Sequence, residues 1–372
     1  MKIKFILPIC LGFLVSGCSE NKKTFEVEVW NLHQTQLSEL KLSELVSKDY
    51  QLVPLETTDS SLISKIDKII IGGDYIFVLD GFSNDKVKRF SQEGKYLGKI
   101  GNAGAGPGEY RNPVDMYIDG DFLMIYDNPD NLLKYDFEGK FIENIRTGET
   151  GFKLEKSGDG NYALINGGLE HNLLVMNENF QDKKTFFPYK SRFVDQLILY
   201  PLVKLNDGSL LYRRYLNDTI YKIESKEPIP YLVLDHGEDS FSLEKNWSEK
   251  EINDSKLEGS LANYAVNQLY LENSTHLLVF FFKKSTPQFA VRNKKSKASV
   301  LLDFINFEND ITFSQNFAFT HVSNDNFIAA VDPAFIFMNK LENESYPDKM
   351  MPILEGLEEG DNPILLIAKF KI

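Results

Sequence analysis

Three observations in this 372-residue sequence predict an all-β, six-bladed β-propeller built from four-stranded antiparallel blades. One stretch, Gly101 to Ile145, reads as a complete module of four short apolar runs separated by turn residues. Copies of that module recur on both sides of it. A strand near the N-terminus belongs to no module, and the last module lacks an outer strand.

The best module sets the pattern. A glycine-rich loop (Gly104, Gly106, Pro107, Gly108) leads into Val114 to Ile118, an Asp119-Gly120-Asp121 turn, and Phe122 to Tyr126. Asp127 to Asn131 is polar; Leu132 to Tyr135 follows, then a turn at Glu138-Gly139, then Phe141 to Ile145. Apolar runs of this length between turn residues signal strands, and helices would need longer runs at a 3.6-residue period. A sheet this small cannot bury itself, so it implies an array.

The repeats supply the array. Gly73-Asp74-Tyr75-Ile76-Phe77-Val78-Leu79-Asp80 matches the run starting at Gly120, and Phe90 to Leu97 matches Tyr135 to Ile142. Further first turns stand at Asp159-Gly160-Asn161, Asn206-Asp207-Gly208, Asn273-Ser274-Thr275 and Asn324-Asp325-Asn326, which makes six with Asp74 and Asp121. Radial repetition of such sheets gives a propeller, whose ring closes on itself where a linear solenoid needs caps. After Val331 the last module offers two strands, a loop, and a third strand within Asn362 to Ile372. Tyr50 to Leu55 is expected to be its outer strand, closing the ring. A polar insertion at about 238–261, carrying Trp247, interrupts the repeats between the fourth and fifth turns.

The N-terminus reads as a processed leader. Lys2 and Lys4 precede an apolar stretch, Phe5 to Val15, that is too short to span a bilayer but suits a signal peptide. Leu14-Val15-Ser16-Gly17-Cys18 resembles the lipobox of bacterial lipoproteins, which implies cleavage after residue 17 and acylation of Cys18. The expected organisation is therefore a signal peptide (1–17), a lipidated tether and lead-in (18–48), and the propeller (49–372). Within the lead-in, Leu37 to Leu45 suits either a short amphipathic helix or an extended edge. The other cysteine, Cys10, falls in the leader, so the mature chain holds no free thiol. Net charge is −13, and −15 without the leader's two lysines. That balance argues against nucleic acid as a partner. With 28 Phe, 17 Tyr and 26% charged residues the composition is globular and suits pleated, half-buried surfaces.

The loops between blades and those joining second to third strands share one face of a meander, and ligand residues are expected on that face. The acidic set Asp80, Asp85, Asp127, Asp130 and Asp332 offers oxygen ligands for Ca²⁺. Its structural alternative, Asp closing the end of a strand, is favoured because Asp80 and Asp127 recur at equivalent positions. The basic set Arg213, Arg214, Lys283 and Lys284 suits carboxylate or sulfate, with Glu109, Tyr110, Arg111 and Tyr215 as polar and stacking surfaces for sugars. The histidines His33, His171, His236, His276 and His321 occupy inequivalent positions with no metal-binding spacing. The glycine loop lacks the Lys-Ser/Thr ending of a phosphate loop, and no G-x-S-x-G occurs. The candidate ligand residues are thus Glu109, Tyr110, Arg111, Asp127, His171, Arg213, Arg214, Lys283 and Lys284.

Gly104-Ala105-Gly106-Pro107-Gly108-Glu109-Tyr110, with Asn112-Pro113 and Asp127, resembles the NHL repeat. From Leu52-Val53-Pro54-Leu55-Glu56 onward the chain resembles the six-bladed β-propeller lipoproteins of Gram-negative bacteria. The resemblance implies a lipid-anchored protein of the cell envelope, at the outer membrane. The function expected is a binding module without catalytic motif or cofactor, for a glycan, a peptide or an envelope protein. The alternative is a metal-dependent lactonase, esterase or lyase with its site in the mouth of the central channel.

Overall fold

A computed structural model describes residues 27–83, 86–166, 170–188, 200–241, 261–314, 317–338 and 346–372. The predicted leader, Cys18, Asp85, Trp247 and most of the 238–261 insertion lie outside these residues.

Six four-stranded antiparallel blades stand in a ring. Blade 1 runs Ile66–Gly72, Tyr75–Asp80, Val87–Ser91, Tyr96–Lys99. Blade 2 runs Pro113–Asp119, Phe122–Asp127, Asn131–Asp136, Phe141–Arg146, within two residues of each expected boundary. Blade 3 is Lys153–Lys156, Tyr162–Ile165, His171–Met176, Lys184–Pro188, and blade 4 is Leu202–Lys204, Leu210–Arg213, Thr219–Glu224, Glu227–Asp235. Blade 5 is Ala265–Glu272, His276–Lys283, Thr286–Asn293, Ser299–Asp303. Blade 6 takes His321–Ser323, Asn326–Val331 and Ile364–Ala368 from the C-terminal end. Its outer strand is Gln51–Pro54, antiparallel to Ile364–Ala368, as the unassigned N-terminal strand predicted. Asn362 fastens this closure: its amide donates to Glu56 and Ser61 carbonyls and accepts from Ile63 N–H at 2.8 Å.

Side-chain alternation explains why second strands are apolar throughout. Phe77 and Leu79 pack toward blade 2 with Met116 and Leu123, whereas Ile76 and Val78 pack toward blade 6 with Ile328 and Leu365. Both faces of a blade are covered, so a period-two strand needs apolar residues at every position. Five of the six first turns carry a residue at positive φ, the turn at Asn273-Ser274-Thr275 being the exception. Gly120 has φ +61° with open space around it, whereas a Cβ on Gly208 (φ +82°) would sit 2.7 Å from Gly158 Cα.

Four features differ from expectation or were not foreseen. In the glycine loop Gly108 takes a positive φ (+73°), but Gly104 does not. Gly104 is glycine for space, because a Cβ there would lie 2.0 Å from the Glu109 carboxylate that folds back to accept Gly106 N–H at 2.7 Å. The segment after Val331, expected as a loop, holds helices Pro333–Met338 and Met351–Leu354. The lead-in forms both expected shapes, an isolated bridge from Leu37 to Leu301 and a helical turn at Leu42–Leu45. Before them, Glu28–Asn31 adds a fifth strand to blade 4, parallel to Glu227–Asp235. The lead-in is thus a strap along the outer rim of blades 4, 5 and 6. Trp30 and Leu32 are buried under it, and Glu28 pairs with Arg292 (2.9 Å) and Lys297 (2.6 Å).

Candidate functional site

The first strand of each blade has one edge turned to the ring axis, where no further strand can cover it. Side chains there meet those of the other blades. Four first strands contribute ionised groups that converge across the axis: Lys68 from blade 1, Asp115 from blade 2, Lys153 and Glu155 from blade 3, and Lys204 from blade 4. Lys68 Nζ lies 2.9 Å from Asp115 and 3.6 Å from Glu155. Lys153 approaches Asp115 at 3.7 Å and Lys204 approaches Glu155 at 3.6 Å. Asp115 is also held by the N–H groups of Met116 and Leu154, both at 3.0 Å, which ties blade 2 to blade 3.

Burial and neighbours pull these groups in different directions. Burial lowers the Lys68 ammonium, but Asp115 and Glu155 together outweigh it and leave it above the ordinary lysine range. For Lys153, burial, with Lys68 as a like charge, outweighs Asp115 and brings it below that range. Glu155 is pushed up by burial in spite of Lys68 and Lys204. Opposite them, His321 Nε2 meets the Tyr200 hydroxyl at 2.8 Å and Nδ1 meets Thr320 Oγ1 at 2.9 Å. Burial, Lys68 and Lys153 take His321 down to about 3, so it is neutral at any physiological pH.

Lys68, Glu155, Lys204, Tyr200, Thr320 and His321 line a cavity of about 470 Å³, reached past Gly73, Gly120, Asn206 and Asn324. These belong to the turns between first and second strands. The channel therefore opens on the face opposite the one that carries the loops between blades and the loops joining second to third strands.

The predicted residues fall into three groups. Some brace the fold. Tyr110 is 1% exposed and donates to the Ile100 carbonyl at 3.0 Å, so its ring offers no stacking face, contrary to expectation. Asp127 accepts the N–H groups of Arg111 (3.0 Å) and Asn112 (2.5 Å), and Asp80 likewise accepts those of Ser64 and Lys65. Both close strand ends, the favoured reading of the acidic set. Asp130 pairs with Arg146 and Asp332 caps the N-terminus of the helix at Pro333, so the four described members of this set do not converge.

Others bind the blades to one another. Arg213 is 2% exposed and donates to the carbonyls of Asn267 (3.1 Å) and Gln268 (2.7 Å), joining blade 4 to blade 5. Burial lowers it to about 10. Arg214 is buried with its guanidinium 4.9 Å from the Phe187 ring centre. The expected basic cluster is therefore divided, since Lys283 and Lys284 pair instead with Asp239 at 3.3 and 2.9 Å. Of the candidate ligand residues Arg111 and Lys284 are exposed, and Glu109, His171 and Lys283 are half-buried. The histidines are also separate: His33 bonds Asp235, His236 bonds Asn267, and His276 bonds the Ile372 carbonyl. Among the described residues no group of three or more His, Cys, Asp and Glu is arranged to hold a metal ion.

The channel charges escaped the sequence reading although a signal existed. Lys68 and Asp115 are 47 residues apart, the same offset that relates Gly73 to Gly120. A charge at equivalent positions of two apolar first strands marks the axis-facing edge.

The model of a domain of unknown function, DUF4934, matches residues 25–369. The chain belongs to the DUF4934 family. No curated protein matches it. Its fold is similar to that of a protein from Bacteroides fragilis NCTC 9343 thought to be exported, with a TM-score of 0.73 at 19% identity over 93% of this chain and 100% of that one. A DUF4221-family protein from Bacteroides vulgatus is similar at a TM-score of 0.54 and 11% identity, over 88% and 98% of the two chains. At these identities the likeness is one of fold. No helix among the described residues is long and apolar enough to cross a membrane.

Proposed function

We propose that this DUF4934 protein is a binding module of the cell envelope, anchored through an acylated Cys18, that takes its ligand in the central channel. The carrying observation is the channel itself: about 470 Å³, the size of a small-ligand site, with polar groups from several blades converging on it. The converging groups are charged and hydrogen-bonding side chains, Lys68, Glu155, Lys204, Tyr200 and His321, which suits holding a ligand, and among the described residues no group of three or more His, Cys, Asp and Glu is arranged to hold a metal ion. The lipobox-like Leu14 to Cys18 supports the anchor, and the Bacteroides neighbour thought to be exported fits an envelope location. On the opposite face, Arg111, His171, Lys283 and Lys284 are proposed to contact a peptide, glycan or protein partner, with Glu109, Asp127, Arg213 and Arg214 holding that face in shape.

Thermal-shift screening of the full chain against sugars, organic acids, amino acids and peptides tests this, beside Val322→Trp, which fills the channel wall. Ligands that raise the melting temperature of the native chain and not of a folded Val322→Trp variant support it. Equal shifts in both place binding elsewhere and refute the channel. Turnover of lactones or esters that Val322→Trp abolishes would replace it with the enzyme reading. Loss of metabolic palmitate labelling, with release from the membrane fraction, is expected for Cys18→Ala.

A further inference from the structure

The channel charges are linked in sequence, and the links alternate in sign: Lys153, Asp115, Lys68, Glu155, Lys204. Both ends of this chain are lysines, so among the described residues three ammonium groups face two carboxylates and one positive charge has no counterpart. The neighbouring charges do not supply it. Asp67 pairs with Lys65 at 2.7 Å and Asp119 with Lys156 at 2.6 Å, each as a closed pair. Asp121 stands exposed at the cavity mouth, and His321 is neutral.

The two ends are not equivalent. Lys153 donates to the Val114 carbonyl at 3.3 Å and is pressed into the wall. Lys204 lines the cavity with its side chain 31% exposed, and its contact with Glu155 at 3.6 Å is too long for a hydrogen bond. Its ammonium group is therefore not committed to Glu155 by a hydrogen bond and borders the cavity. A surplus charge in a partly desolvated channel is costly until an opposite charge arrives, and binding one anion at Lys204 extends the alternation by one member.

We infer that the channel binds a small organic acid carrying a single carboxylate, held at Lys204, with its neutral part toward the Tyr200–His321 side. This rests on the channel-binding reading above and narrows it. A doubly charged phosphate group fits less well, since Glu155 and Asp121 flank the same space. The carboxylate has two natural sources, a sugar acid or the C-terminus of a short peptide, and both fit the volume.

Isothermal titration calorimetry on the full chain separates the outcomes, with galacturonate, acetyl-Ala-Ala and neutral galactose as probes. Galacturonate or acetyl-Ala-Ala should bind, with galactose silent, and whichever acid binds identifies the source. Lys204→Met should weaken that binding about tenfold, the loss of one charge-assisted hydrogen bond. Lys204→Arg should restore most of it, and Lys134→Met, on the third strand of blade 2 and paired with Glu143 away from the chain of charges, should leave it unchanged. Galactose binding as tightly as galacturonate, undiminished binding in a folded Lys204→Met variant, or no carboxylate binding at millimolar concentration would each overturn the inference. If carboxylates fail while Val322→Trp abolishes binding of another ligand class, the channel reading survives without this one. If no ligand depends on the channel, both fall.

Discussion

Replacing Asp218 by Asn should reshape the pH dependence of stability. Asp218 accepts the Asn267 amide at 2.7 Å, and Asn267 accepts in turn from His236 Nε2 at 3.0 Å, so one asparagine of blade 5 holds two titratable groups of blade 4. Burial, and to a lesser degree Asp235, raise the Asp218 carboxyl to about 7 against hydrogen bonds that favour its charge. From an unfolded value of 3.8, a rise of about three units at 1.36 kcal/mol each sets a ceiling of about 4 kcal/mol. The folded state binds this proton more tightly than the unfolded one. Its contribution is therefore fully present below pH 3.8 and is lost as pH rises to about 7. His236 acts in the opposite sense. Burial depresses it from 6.5 to about 4, so its contribution is present above 6.5 and lost as pH falls toward 4. In the native chain the two trends oppose each other between pH 4 and 6.5. Asp218→Asn removes the first and keeps a neutral acceptor for Asn267. The variant should be more stable than the native chain at pH 8 by up to about 4 kcal/mol, with the gap closing toward pH 4. Urea titrations from pH 4 to 8.5 measure this directly. A gap that stays constant with pH would show that Asp218 ionises as an ordinary carboxyl, and the argument would fail.

Further outcomes follow from the same geometry. Asn362→Ala removes three hydrogen bonds at the ring closure and leaves buried partners unsatisfied, so a loss of about 2–4 kcal/mol in urea unfolding is expected. Gly120→Ala should cost about 1–2 kcal/mol, the left-handed backbone penalty alone, because its surroundings are open. Gly208→Ala should cost clearly more by the same assay, since the added methyl meets Gly158, and equal losses would refute the close-approach argument. Trp30→Ala should cost about 3–5 kcal/mol if the strap unfolds with the ring. A second, earlier transition in calorimetry would show instead that the strap melts separately.

The fold could be read in the sequence because each blade repeats local chemistry. The turns at Gly73 and Gly120 need φ above zero, and the runs between them need apolar side chains at every position, so both leave marks in one linear string. The channel site depends on a different kind of information. Lys204 matters because of where the ring carries it relative to Glu155, 49 positions earlier, and no local pattern encodes that meeting. Tyr110 misled for the converse reason. It neighbours the exposed Arg111 in sequence, but strand alternation sends its ring inward. Arg213 and Arg214 look like a ligand clamp when read as adjacent cations, yet burial binds one to blade 5 carbonyls and the other to Phe187. The strand Glu28–Asn31 went unread because four residues pairing in parallel with a rim more than 190 residues away carry no turn signal.

That strand also sets a heading. Because it runs alongside Glu227–Asp235 in the same direction, the chain ahead of Glu28 departs from the side where Glu227 begins, which is the side of the channel mouth. About ten residues separate Glu28 from Cys18, and a fully extended chain of that length reaches at most about 35 Å. If Cys18 carries the lipid, as proposed above, a leash of that length would hold the mouth on the side nearer the bilayer. Ligands would then be sampled from the layer of fluid next to the membrane, while Arg111 and Lys284 point outward to whatever lies beyond it.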